Sequence, residues 1–219
     1  MELLSACITG DLQLVLELLN DIVVDWRDIN GTTALMLAAT FGHIDIIDVL
    51  YQTGANINAI DDVYKATPIL HAARCAQWNA VKKLLDLGAH AQATDHEGHG
   101  ILWFAVKANA TNMVDQLIPA RLDPNLHDYN GITLLQYAVA IGQIDMIYKL
   151  IELEVNIDTA GPDDMTALMM AARLGHGSIV RILVRAGANT HIVNDGGMTA
   201  SEYADKYGHY QIVKYLSKH

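Results

Sequence analysis

One phrase returns six times along this chain at an almost constant interval, and no other feature limits its fold as severely. It reads Thr33-Ala34-Leu35-Met36-Leu37-Ala38-Ala39, then Thr67-Pro68-Ile69-Leu70-His71-Ala72-Ala73, then Gly100-Ile101-Leu102-Trp103-Phe104-Ala105-Val106. It continues as Thr133-Leu134-Leu135-Gln136-Tyr137-Ala138-Val139, Thr166-Ala167-Leu168-Met169-Met170-Ala171-Ala172 and Thr199-Ala200-Ser201-Glu202-Tyr203-Ala204-Asp205. The copies start at 33, 67, 100, 133, 166 and 199, so the intervals are 34, 33, 33, 33 and 33. A period in this range marks a supersecondary unit stacked on copies of itself, each burying the face its neighbour would otherwise expose.

The composition of the phrase predicts an inner helix in each unit. A threonine hydroxyl can accept from a helix amide that has no partner within the helix, which suits it to the N-cap. Pro68 falls at the first helical position, where a missing N–H costs nothing. The alanines allow close approach of neighbouring helices, and Gly42, Gly142, Gly175 and Gly208 stand where the helix must stop. A second stretch follows with apolar residues at helical spacing, as in Ile44-Asp45-Ile46-Ile47-Asp48-Val49-Leu50 and Ile179-Val180-Arg181-Ile182-Leu183-Val184. A turn such as Gly54-Ala55-Asn56-Ile57-Asn58-Ala59 or Gly187-Ala188-Asn189 then leads to the next unit.

Each unit resembles the ankyrin repeat, a β-turn finger followed by two antiparallel helices. The resemblance covers the whole chain as about seven units and implies an all-α solenoid, a curved, elongated stack in one domain spanning 1–219. Its expected parts are an N-terminal capping repeat over 1–28, internal repeats over 29–61, 62–95, 96–128, 129–161 and 162–194, and a C-terminal capping repeat over 195–219. The motif is highly specific for fold and says little about function, because partners of such stacks are set by surface residues.

The middle of the chain departs from this pattern. The third repeat has one extra residue in its tip, Asp61-Asp62-Val63-Tyr64-Lys65-Ala66. The fourth has Gly100 in place of the capping threonine and Asn109 where glycine is expected, and Pro119 should end its outer helix near Ile118. Arg121 and Glu154 take the glycine position after an outer helix; a left-handed backbone there costs each about 1 kcal/mol.

With 52% hydrophobic and 18% charged residues, disorder is excluded, and no apolar run approaches the roughly 20 residues of a membrane helix. Net charge is −11, which disfavours nucleic acid and anionic lipid. The start, Met1-Glu2-Leu3-Leu4, lacks the basic region of a secretory signal, so a cytoplasmic location is expected. Cys7 and Cys75 lie two repeats apart, roughly 20 Å at ordinary helix spacing, too far for a disulfide. Cys7 reads as an inert packing residue and Cys75 as an exposed thiol.

Nothing in the sequence marks an enzyme: P-loop, dinucleotide fingerprint and nucleophile elbow are all missing. His43, His176 and His209 follow the glycine that ends an inner helix and read as structural. Asp95-His96-Glu97-Gly98-His99, with His90 nearby, is the most metal-like cluster, but no i, i+4 pairing fixes a ligand geometry and it reads as a solvated tip. No catalytic residue, cofactor or metal is expected.

The informative surface is the pair of residues after each Ala-Ala, which in the ankyrin fold lines a concave groove together with the finger tips. Along the chain these pairs are Ile8/Thr9, Thr40/Phe41, Arg74/Cys75, Lys107/Ala108, Ala140/Ile141, Arg173/Leu174 and Lys206/Tyr207. Four of only 14 basic residues fall on this ladder. The expected partner-binding set is Phe41, Arg74, Cys75, Lys107, Ile141, Arg173, Leu174, Lys206 and Tyr207, with Trp103 on the inner helix and Tyr64, Tyr129, Ile132 and Met165 at the tips. Arginine, aromatics and methionine are enriched at interface centres. The expectation is therefore a monomeric, non-catalytic scaffold or adaptor whose protein partner presents acidic and apolar groups. A stoichiometric inhibitor or immunity-type protein blocking one enzyme is the alternative, and a secreted effector acting by protein binding is a further one.

Overall fold

A computed structural model describes residues 2–219. Its helices come largely in consecutive pairs: α1 (Glu2–Thr9) with α2 (Leu12–Leu18), α3 (Ala34–Phe41) with α4 (Ile44–Gln52), and α5 (Pro68–Arg74) with α6 (Trp78–Asp86); α7 (Ile101–Lys107) and α8 (Thr111–Leu117) come next in the chain. Then follow α9 (Leu134–Ala140) with α10 (Ile144–Glu152), α11 (Ala167–Arg173) with α12 (Gly177–Arg185), and α13 (Ala200–Lys206) with α14 (Tyr210–Leu216). The only extended pairing among the described residues is an isolated bridge between His127 and Thr133.

The chain forms two compact units. The first comprises residues 1–108 and 116–122, the second 109–115 and 123–219, so the division runs through the irregular fourth repeat. In the first unit α3 packs between α1 and α5, and α5 against α7; in the second, α11 packs between α9 and α13. The alanines make this possible. Ala38, Ala39, Ala72, Ala171 and Ala172 are wholly buried, leaving Leu35, Ile47, Leu70, Leu134 and Met146 to fill the spaces between layers.

The capping expectation holds for four of the repeats. The hydroxyls of Thr33, Thr133, Thr166 and Thr199 accept from the amides of Met36, Gln136, Met169 and Glu202 at 3.2–3.3 Å. Thr67 departs from it: ahead of Pro68 its hydroxyl makes no cap bond. The glycine sites behave as their spacing requires, with Gly42 and Gly142 both at φ 75°. Asn109, Arg121 and Glu154 adopt the left-handed conformation without glycine, at φ 51°, 51° and 56°. Ala76 (55°), which takes the same glycine position as Asn109, joins them, as do Lys65 (53°), Asp163 (57°) and Asp164 (52°) in the fingers. As expected, α8 ends at Leu117, and Pro119 lies in a short 3-10 turn, Ile118–Ala120.

Four of the fingers are folded by an acid five or six residues ahead of the capping position, Asp28, Asp61, Asp95 and Asp128. One Asp28 oxygen accepts from the amides of Asn30 (2.9 Å) and Thr32 (2.8 Å), and Asp128 does the same for Asn130 and Ile132. Neighbouring fingers in the first unit are stitched by the Asp62 amide to the Asn30 carbonyl (2.9 Å) and the His96 amide to the Tyr64 carbonyl (2.8 Å). These bonds set where the finger side chains stand relative to the inner helices.

Candidate protein-interaction faces

One large apolar residue recurs at the end of the inner helix in four repeats and is not covered. Phe41, Ile141, Leu174 and Tyr207 occupy equivalent positions and are 46%, 49%, 44% and 47% exposed. Half-exposure of a large apolar side chain at one recurring position is not what core-edge packing alone predicts. In the first unit this face also carries Ile8, Cys75 and Lys107, all exposed, with Tyr64 on a finger. In the second unit it carries Arg173 and Lys206, exposed, with Tyr129 at a finger tip and the half-buried Ile132 beside it.

Cations and aromatic rings meet on the second face. The Arg173 guanidinium lies 5.8 Å from the Tyr207 ring centre and the Lys206 ammonium 6.0 Å from it. Arg173 also reaches the Met165 sulfur at 3.8 Å, placing its charge against the base of a finger. Tyr207 thus has two cations within cation–π range of its ring.

Three assignments made from sequence are corrected here. Trp103 and Met165 are buried, at 6% and 5% exposure, so they support the face rather than form it. The repeat pattern places Trp103 on α7, but its indole stacks on His99 at 4.3 Å and is covered. Arg74 is a structural tie. Its guanidinium donates to Asp95 at 2.9 Å, lies 3.9 Å over the Tyr64 ring and 5.6 Å from that of Phe104.

Asp95 is likewise not part of a solvated tip. It is 2% exposed, and one of its oxygens accepts from the amides of Glu97 and His99, both at 2.9 Å. The other takes the Arg74 donor, while the His99 ring lies 3.2 Å from Glu97. Asp95, Glu97 and His99 do come together closely, but the Asp95 carboxylate is already consumed by the turn and by Arg74. Sequence reasoning missed these turn acids although the signal was present: Asp28, Asp61, Asp95 and Asp128 recur at 33-, 34- and 33-residue intervals.

Asp61 is the most elaborate of them. Its carboxylate accepts from the amides of Val63, Tyr64 and Ala66 and meets the His71 ring nitrogen at 3.0 Å. Burial pushes its carboxyl up, but the Tyr64 amide, the His71 ring and the Ala66 amide outweigh it and hold the group below its ordinary range. Burial is also the largest influence on His71 and lowers it; the nearby Arg74 charge acts in the same direction, against the opposing pull of Asp61. Both folded-state values are depressed, so both groups contribute stability that is present at neutral pH and lost on acidification. The expected result is that unfolding free energy falls as pH drops below about 6.5, and that His71→Gln flattens this first segment. Urea titrations at a series of pH values give the answer, and equal slopes in wild type and variant would refute it.

Among the cysteines, Cys7 is buried and burial pushes its thiol up to about 12, whereas Cys75 is exposed. No helix among the described residues is long and apolar enough to cross a membrane.

Paired helices, acid-folded fingers and a recurring exposed helix end define a repeat module for protein interaction. The family described as ankyrin repeats (3 copies) matches residues 3–95, 70–160, 102–194 and 150–219, and the chain belongs to it. The fold is that of the crystallised ankyrin repeat domain of Bcl-3, described as a unique member of the IkappaB protein family. That match has a TM-score of 0.87, 24% identity and 98% coverage of both chains. The human ASB11 ankyrin repeat domain is similar at a TM-score of 0.81 and 26% identity, over 99% of this chain and 97% of that one. In sequence, the chain is 35% identical over 79 residues to the transient receptor potential cation channel subfamily A member 1 of Drosophila melanogaster, covering 36% of this chain and 6% of the channel. It is 33% identical over 92 residues to the putative ankyrin repeat protein L371 of Acanthamoeba polyphaga mimivirus, covering 42% of this chain and 12% of that protein. The chain thus spans only a small part of the curated relatives it matches. Ankyrin repeats are protein–protein interaction modules and form a non-catalytic scaffold family.

Proposed function

We propose that this chain is a protein-binding scaffold that recognises a partner through the faces made within each unit by inner-helix ends and fingers, and that the partner is apolar and acidic there. The observation that carries this reading is the half-exposed large apolar residue at the same helix end in four repeats, Phe41, Ile141, Leu174 and Tyr207. In the second unit exposed Arg173 and Lys206 directly precede Leu174 and Tyr207, and exposed Lys107 takes the same phase in the first, on a chain of net charge −11. The apolar groups supply most of the affinity, and the cations set register and association rate.

The test captures the partner on the immobilised chain, identifies it, and titrates it against variants of each unit. Arg173→Glu with Lys206→Glu should slow association and remove much of its salt dependence. Phe41→Ala and Tyr207→Ala should speed dissociation, at about 1–2 kcal/mol or more for each true anchor. All four positions are exposed, so stability should stay within about 0.5 kcal/mol of wild type. Wild-type affinity in all of these variants would remove the inner-helix face from consideration and point to the outer helices.

A further inference from the structure

Over residues 1–64 the sequence has ten acidic side chains and a single basic one, Arg27. That cation stands at a groove of about 720 Å³ in the first unit, framed by Leu4, Ser5 and Ile8 of α1 and by residues 26–30 of the first finger. Its apolar wall is unusually open: Ile29 is 99% exposed, Ile8 42% and Trp26 41%. The one acid lining the groove, Asp28, has a carboxylate oxygen turned inward onto the finger amides of Asn30 and Thr32. Arg27 has no ion-pair partner among the described residues.

We propose that this groove binds a peptide segment of a partner protein in which a bulky apolar side chain stands next to a carboxylate. The inference rests on the interaction-face reading, because Ile8 belongs to the same ladder of helix ends. A groove of this size lies in the range that encloses ordinary ligands, with room for more than one large side chain. An apolar segment without charge would leave Arg27 unpaired as the rim closes. A basic segment would bring a second cation against it. A carboxylate can take the planar guanidinium in a two-pronged hydrogen bond, which gives direction as well as attraction.

The experiment titrates the full 219-residue chain with three short fluorescent peptides sharing a Leu-Phe core flanked by glutamate, by glutamine or by lysine. The glutamate peptide should bind most tightly, with an affinity that weakens as salt rises. Arg27→Gln should weaken it about tenfold, which is about 1.4 kcal/mol, and leave the glutamine peptide unchanged. Ile29→Ser should weaken both; its side chain is almost wholly exposed, so folding is not at risk. The Arg173→Glu, Lys206→Glu variant should bind the glutamate peptide as wild type does, so this site and the ladder of the second unit can fail independently. The proposal is overturned if the lysine peptide binds as well as the glutamate one, or if Arg27→Gln is silent. It is equally overturned if no peptide binds and the chain instead sediments as a dimer that Ile29→Ser dissolves, which would make a second copy the occupant.

Discussion

Gly161→Ala is expected to destabilise the second unit by about 2–4 kcal/mol, the cost of displacing a buried hydrogen-bonding group. The backbone there is unremarkable, at φ −106°, so alanine meets no conformational objection. The obstacle is a side chain. A Cβ on residue 161 would stand 2.3 Å from the Gln136 amide oxygen and 2.6 Å from its nitrogen. Gln136 is completely buried, accepts from the Thr133 amide at 3.0 Å, and donates to the carbonyls of Met165 (2.6 Å) and Thr159 (3.3 Å). It therefore ties this finger from the side by donating to its carbonyls, where the turn aspartates tie theirs from within by accepting from amides. The two positions vary together: the Gly161 phase holds Asp28, Asp61, Asp95, Asp128 or Asn194 in the other fingers, and the Gln136 phase of the preceding helix is apolar, as with Leu70 ahead of Asp95. Gln136→Leu combined with Gly161→Asp should recover the ordinary arrangement and cost less than the two single changes added together. Urea denaturation of the four proteins measures the coupling. Strict additivity, or a Gly161→Ala protein within about 0.5 kcal/mol of wild type, would remove Gln136 from this role.

Arg74→Ala should cost about 2–4 kcal/mol, because it leaves a buried carboxylate without its cation. Asp95 would retain the amides of Glu97 and His99, and its side chain is 1% exposed. The Arg74 side chain is itself 25% exposed, which keeps the figure below that for a wholly buried pair. Arg74→Lys should recover part of the loss but not the stacking over Tyr64, since an ammonium lacks the guanidinium plane. Cys75→Ala, one residue along and exposed, serves as the control and should be neutral. A thermal melt that moves no more for Arg74→Ala than for Cys75→Ala would return Arg74 to the partner face.

The phrase spacing alone was enough for the architecture. A 33-residue period with paired apolar stretches leaves a stack of helix pairs as the way to bury every apolar face, and the glycines, capping threonines and Pro119 punctuate it where they must. Periodicity also located the helix ends whose residues are exposed, because Phe41, Ile141, Leu174 and Tyr207 share one phase of the repeat. Phase, however, does not say what lies over a residue. Trp103 and Met165 have the right spacing for the face and are covered, and Arg74 has the same phase as Arg173 and a different fate.

The difference between those two arginines shows what each level decided. The sequence by itself put a guanidinium at the end of both α5 and α11. Whether that charge meets a carboxylate depends on the finger one repeat further on. After α5 that finger holds Asp95, buried and aligned at 2.9 Å; after α11 the corresponding residue is Asn194, which offers no charge and whose amide bonds the Tyr203 hydroxyl and the Asp163 carbonyl instead. Arg173 thus remains exposed beside Tyr207 while Arg74 is drawn into the fold. Local pattern determined helices and turns, since these follow from spacing within a few residues. Pairing across 21 residues, from Arg74 to Asp95, was settled only by the tertiary structure, because it requires two repeats to be stacked before the charges can meet.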